Sequence, residues 1–130
     1  MTYQQVNISS EDDIYVALSA VRHFMKRLPF SESDQQKVFV SVSELTRNVL
    51  DHACSKGIFY CELIDKGIRF MVIDHGPGIR NVDEALSGKK TSSSRGLGLG
   101  LSGAKRLMDE FQIETSTRGT KIVAIKWAGK

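Results

Sequence analysis

Between residues 34 and 54, the apolar positions Val38, Val42, Leu45, Val49 and Ala53 recur every three to four residues, the stripe of one core-facing helix. Ser31 or Ser33 supplies its start and Lys56-Gly57 its stop, so this helix is expected to reach about Cys54. An earlier helix is expected to start at Ser9 or Ser10 and to end near Leu28-Pro29. Its first turn holds Glu11, Asp12 and Asp13, where acids suit the helix dipole. Ala104, Leu107, Met108 and Phe111 repeat the helical spacing and predict a third long helix, running to about Phe111. Elsewhere the character is that of strands. Residues 3 to 8 predict a short first strand. Residues 58 to 64 and 68 to 74 predict a hairpin whose turn, Asp65-Lys66-Gly67, contains glycine. Residues 112 to 117 and 120 to 127 predict a second hairpin. A short helical stretch is expected near 82 to 87, and residues 87 to 96 contain no apolar residue and read as a loop. Strand pairs bracketed by helices predict an α/β two-layer sandwich with a mixed or antiparallel sheet rather than regular βαβ winding.

Length and composition narrow this picture without changing it. The chain of 130 residues is 41% apolar and 25% charged, which predicts a single globular domain over residues 1–130. No apolar run approaches the roughly 20 residues that span a bilayer, and no basic-then-apolar leader opens the chain, so a cytoplasmic protein without a membrane role is expected. A net charge of +3 is too small to argue for nucleic acid. Its distribution is more informative. Residues 1–65 carry six Lys/Arg against nine Asp/Glu, and residues 66–130 carry twelve against six. The positive excess therefore accompanies the glycine-rich half, as a polyphosphate ligand would favour. Cys54 and Cys61 match no metal spacing and read as buried thiols of a reducing compartment.

Three fragments carry candidate chemistry. On the long helix, Glu44 and Asn48 lie four residues apart and so stack on one face, roughly 100 to 140° from the centre of the apolar stripe. A carboxylate there can accept the proton of an incoming hydroxyl, and a carboxamide oxygen can join a magnesium shell. Alone, the pair also fits an exposed polar face. The second fragment, Asp74-His75-Gly76-Pro77-Gly78-Ile79, ends a buried strand with an acid and a glycine turn. The acid can accept a hydrogen bond from an exocyclic amine while the glycines admit a flat base to the backbone, although an Asx turn needs no ligand. His75 has no partner at ligand spacing, which favours a surface or structural role. The third fragment is Arg95-Gly96-Leu97-Gly98-Leu99-Gly100-Leu101, where glycines expose backbone N–H groups ahead of a helix start, an arrangement suited to phosphate. It lacks the Gly-Lys-Ser/Thr of a Walker A loop and the preceding strand of a dinucleotide fingerprint.

In this order, and with Gly119-Thr120 before the last strand, the fragments resemble the GHKL (Bergerat-fold) ATPases, the family that includes gyrases and histidine kinases. The likeness is strongest to the small bacterial serine/threonine kinases of the anti-sigma and switch-protein group. It is carried by Ser43-Glu44-Leu45-Thr46-Arg47-Asn48, by the stretch from Gly100 to Phe111 and by that from Gly119 to Trp127. The resemblance implies ATP and Mg2+ as cofactors and a serine/threonine kinase activity. Glu44 would be the general base, Asn48 the magnesium ligand and Asp74 the acceptor of the adenine amine. Gly76 and Gly78 would shape the base pocket, Arg95, Gly96, Gly98 and Gly100 would hold the phosphates, and Thr120 would add a contact near adenine. It further implies a STAS-domain antagonist or scaffold as substrate, and a PP2C-type phosphatase or another downstream regulator as the partner activated by binding. Three other readings stay open: a nucleotide-gated binding switch with vestigial transfer, an anti-sigma kinase that binds a sigma factor, and a detached histidine-kinase domain.

Overall fold

In the computed structural model, residues 2–52, 56–76 and 100–129 are described. Their elements are β1 (Tyr3–Ile8), α1 (Glu11–Met25), α2 (Glu32–His52), β2 (Gly57–Ile64), β3 (Gly67–Asp74), α3 (Gly100–Leu107), β4 (Glu110–Ser116) and β5 (Gly119–Trp127). The expected helical stretch near 82 to 87 and the loop at 87 to 96 lie outside the described residues, as do Cys54 and Ala53.

The strands form one sheet in the order β1-β2-β3-β5-β4, with every neighbouring pair antiparallel. Alternation along each strand decides which face is covered. Val6 and Ile8, Phe59 and Cys61, Ile68, Phe70 and Val72, and Ile122 and Ala124 point inward and are buried. Against them pack Ala17, Val21 and Phe24 of α1 and Val38, Val42, Leu45 and Val49 of α2, each 1% exposed or less. The two-layer sandwich is thus the predicted one, and its sheet is antiparallel throughout.

The helix starts follow the expected chemistry. The Asp13 carboxylate accepts hydrogen bonds from the backbone N–H groups of Ser9 (2.8 Å) and Ser10 (3.0 Å), tying down the entry to α1. Those bonds, the Ser9 one foremost, hold Asp13 below its ordinary carboxyl range. Glu11 pairs with Arg47 of α2 at 3.2 Å. The three acids are therefore helix-start and surface electrostatics, and among the described residues no acidic or His/Cys group is arranged to hold a metal. At α2, Ser31 Oγ accepts the Asp34 N–H at 3.0 Å and acts as the cap.

Two expectations are corrected. The third helix does not run to Phe111: it ends at Leu107, and Phe111 belongs to β4. The stop is made by tertiary bonds. Lys126 Nζ donates to the Leu107 carbonyl at 3.1 Å, and the Asp109 N–H donates to the Ile125 carbonyl at 3.0 Å, which turns the chain into the sheet. Phe111 continues the apolar stripe in sequence, but it reaches the same core from a strand. The turn between β2 and β3 also differs from expectation: it is Asp65-Lys66, with a positive φ (63°) on Lys66, and Gly67 already belongs to β3. Gly67 serves packing instead: a Cβ there would lie 2.7 Å from the Trp127 ring.

Cys61 is a free, buried thiol as expected, and burial pushes its pKa up to about 12.

Candidate nucleotide site at one end of the sheet

The site is set by where α2 and α3 run over the sheet. Asp34, in the first turn of α2, lies 3.8 Å from Lys126 Nζ near the end of β5. Fifteen residues later, Val49 sits over Gly57, where a Cβ would come within 2.7 Å of the Val49 side chain. The missing side chain lets the helix settle onto the sheet at this row. At about 1.5 Å per residue, α2 thus spans the sheet from the Lys126 end to the Gly57 end. Glu44 and Asn48 fall in its second half. α3 runs the opposite way, because its last carbonyl, Leu107, is bonded to the same Lys126. One turn earlier, the Ala104 carbonyl accepts a long (3.4 Å) bond from Ser41 Oγ of α2. Gly100, one turn before Ala104, therefore points along α2 toward Glu44. It opens the helix at φ +57°, a conformation that costs glycine little and L residues more.

Cross-strand register assembles the rest. Gly57 pairs with Asp74, Asp74 with Thr120, and Thr120 with Thr115, a single row across four strands. Asp74 shares the inward parity of Ile68, Phe70 and Val72, and Thr120 that of Ile122 and Ala124, so both side chains continue the covered face to its polar end. One Asp74 oxygen, Oδ1, accepts the Gly76 N–H at 2.9 Å, the Asx-type bond expected of the turn. Among the described residues Oδ2 remains uncommitted. Gly119 precedes Thr120 at φ +147°, and a Cβ there would run into the Asp74 carbonyl oxygen. The close approach of β3 and β5 at this row therefore needs glycine.

Of the predicted site residues, Glu44, Asn48, Asp74, Gly76, Gly100 and Thr120 are described, and the elements carrying them converge on this end. Gly78, Arg95, Gly96 and Gly98 lie outside the described residues. Glu44 is more buried than its place at the edge of the stripe suggests, at 7% exposure, while Asn48 is half-buried. His75 is exposed, in line with the surface role expected of it. Sequence reasoning missed three participants. Ser41 and Gly57 position α2 on α3 and on the sheet, and Thr115 bonds Thr120 Oγ1 to Oγ1 at 2.9 Å. For Thr115 a signal existed: it continues the inward alternation of Phe111 and Ile113.

A carboxylate and a carboxamide on one helix, a helix opening on a left-handed glycine, and an acid beside a hydroxyl at a strand end thus lie toward the same end of the sheet. Residues 9–126 match the model of the histidine kinase-like ATPase domain.

The chain belongs to that family.

It is 39% identical over 126 residues to the serine/threonine-protein kinase RsbT of Bacillus subtilis, covering 94% of both chains. It is 30% identical to an anti-sigma F factor of Clostridium novyi, over 92% of this chain and 89% of that one. The enzyme class expected from the motifs is the class of the Bacillus relative, and this chain is a kinase of that group. Solved structures agree on the fold. A structure of RsbU and RsbW domains from Mycobacterium tuberculosis superposes with a TM-score of 0.69 at 16% identity, covering 98% of this chain and 32% of that chain. The catalytic domain of the histidine kinase ThkA gives a TM-score of 0.58 at 15% identity, with 98% and 97% covered. Among the described residues no helix is long and apolar enough to cross a membrane.

Proposed function

We propose that this kinase transfers the γ-phosphate of ATP, bound with Mg2+, to a serine or threonine of a STAS-domain protein. In the same reading it works as a partner switch in a bacterial stress response, controlling a PP2C-type phosphatase or a comparable regulator by binding. The observation that carries the reading is the row Asp74–Thr120 lying beside the Glu44/Asn48 half of α2, with Gly100 aimed at the same place.

Asp74 would accept the adenine amine through Oδ2, and Gly76 and Gly78 would keep side chains off the base. Gly100 would begin the run of N–H donors facing phosphate, with Arg95, Gly96 and Gly98 completing it. Glu44, held on a helix packed against the core, would accept the proton of the acceptor hydroxyl as it attacks. Asn48 offers the hard oxygen donor that magnesium takes, and when bound the ion would neutralise phosphate charge. The protein's own contribution is positioning on a scaffold whose helices are fixed away from the site.

Transfer of γ-phosphate from ATP-Mg to a STAS-domain protein encoded beside this chain tests the reading, with Asp74→Asn and Glu44→Ala for comparison. Acid-stable label lost in both variants is expected, with ATP still bound by Glu44→Ala and bound poorly by Asp74→Asn. The fall in rate for Glu44→Ala should be on the order of 10²- to 10⁴-fold. A stable complex without label would leave a nucleotide-gated binding switch. Similarity to anti-sigma F factors supports a second reading, in which a sigma factor is the bound partner, and direct binding to purified sigma factors would reveal it.

A further inference from the structure

The outer face of α1 is apolar at its middle, where solvation alone would favour polar residues. Among the described residues, the large apolar side chains left exposed are Tyr3, Tyr15 and Val16, all at the β1–α1 edge of the molecule. Tyr3 leans on Tyr60 of the next strand, with ring centroids 5.9 Å apart. Tyr15 and Val16, 63% and 49% exposed, instead line an open groove with Gln4, Ser19, Ala20 and His23. A protruding ring thus stands beside a hollow on the same helix.

At about 100° per residue, Asp12, Tyr15, Val16, His23 and Lys26 fall within roughly 60° of Ser19, on a stripe opposite the buried Ala17, Val21 and Phe24. Lys26, just past the end of α1, keeps helical backbone at φ −66° and ψ −15°. Arg22 shares this end, but its guanidinium lies over the Phe39 ring of α2 at 5.2 Å, which leaves His23 and Lys26 facing outward. The stripe is symmetric about its small central residue. Asp12 and Lys26 lie seven residues to either side of Ser19, and Tyr15 and His23 four. Two such helices packed antiparallel across a twofold axis at Ser19 would set Asp12 of each copy against Lys26 of the other. Tyr15 would enter the groove beside the other copy's His23, and the two serines would let the backbones approach. Packed in parallel, acid would meet acid and base would meet base. We propose that this face of α1 binds a second copy of the chain in the antiparallel arrangement. Four turns of helix bury less than a standard interface, so the dimer is reversible and forms in the micromolar range. The face stands over β1 and β2 and carries none of the residues of the nucleotide site.

Sedimentation velocity of the full chain, from low to high micromolar concentration, tests this. The wild type should pass from monomer to dimer, and less readily at high salt, because opposite charges meet at both ends of the contact. Asp12→Lys and Lys26→Asp should each raise the dissociation constant by about tenfold or more, since each turns both symmetric contacts from opposite to like charge. Mixed one to one, the two variants should associate again as a heterodimer, because one copy then presents positive charge at both ends and the other negative charge at both. That recovery also shows that both variants are folded. Tyr15→Ser should weaken association by a similar factor while ATP affinity stays at the wild-type value. A wild type that remains monomeric at the highest concentration overturns the proposal. So does a mixture no more associated than either variant alone, which would mean that the copies meet elsewhere or that the face serves an unlike partner.

Discussion

β5 carries a polar group at each end of its inward face, and the two ends are finished in opposite ways. At one end Lys126, 7% exposed, has all its directions committed: to the Leu107 carbonyl at 3.1 Å, to Asp109 at 3.4 Å and to Asp34 at 3.8 Å. Asp109 also accepts the Trp127 N–H at 2.8 Å. Three elements, α2, α3 and β5, and the bend at Asp109 that leads into β4 are fastened there by one ammonium group. At the other end, Thr120 bonds Thr115 and Asp74 bonds the Gly76 N–H, near neighbours only among the described residues. One end is closed on itself, and the other is where the proposed nucleotide would sit. A helix anchored some 20 Å from the chemistry (about six strand residues at 3.3 Å) can hold Glu44 in place without crowding it.

Breaking the closed end should have the largest effect on folding. Lys126→Met leaves two mostly buried carboxylates facing each other and orphans the Leu107 carbonyl. A loss of about 2–3 kcal/mol is expected, discounted from a fully buried pair because the carboxylates keep some solvent contact. Urea unfolding should show a lower midpoint at unchanged slope, while ATP affinity changes less than in Asp74→Asn. An equal loss of affinity would show that the two ends are not independent.

Gly119→Ala attacks the open end through the backbone. Its Cβ meets the Asp74 carbonyl, and its φ is unfavourable to an L residue, so about 1–3 kcal/mol of strain is expected. Here the prediction is the reverse of the previous one: ATP affinity measured by calorimetry should fall more steeply than the urea midpoint.

The smallest effect should come from a group at neither end. Asp13 is fully exposed and its carboxyl is held below its ordinary value of 3.8, chiefly by the Ser9 N–H. A depressed folded pKa means stability that is present above the unfolded value and lost as pH falls through the folded one. Asp13→Asn should therefore flatten the acid limb of a stability-versus-pH curve below about pH 4, show its small loss of stability at pH 7 rather than in acid, and leave ATP affinity untouched.

Periodicity made most of this legible. Strand alternation and the Val38–Val49 stripe located the layers, and Asp74 could be read because an acid ending an apolar run before glycines is conspicuous. Tertiary choices could not be read the same way. Phe111 fitted the helical stripe by spacing, and only the bonds of Leu107, Asp109 and Lys126 with distant partners show why the helix stops. Lys126 itself left a trace, a cation at the inward parity of Ile122 and Ala124, which marks a buried charge in need of partners. Gly67 was assigned to its turn because glycine usually serves turns, whereas the Trp127 ring, sixty residues away in sequence, is what excludes a side chain there. The burial of Glu44 comes from tertiary neighbours, which no local pattern encodes.

The β3–β5 ladder has a consequence for how the protein comes together. β2 and β3 close a tight hairpin, and so do β4 and β5, but β3 and β5 are joined only after the chain has travelled from residue 74 to residue 120. The two hairpins are thus zipped along one seam, and zipping carries the loop-closure entropy of that long excursion. Asp74 and Thr120 are the last rung of the seam. A nucleotide held by both would act as a suture across it, adding about 2.7 kcal/mol at a hundredfold excess over its dissociation constant. In that proposed pocket the cell's ATP level would set how firmly the two hairpins stay joined, as well as supply the phosphate.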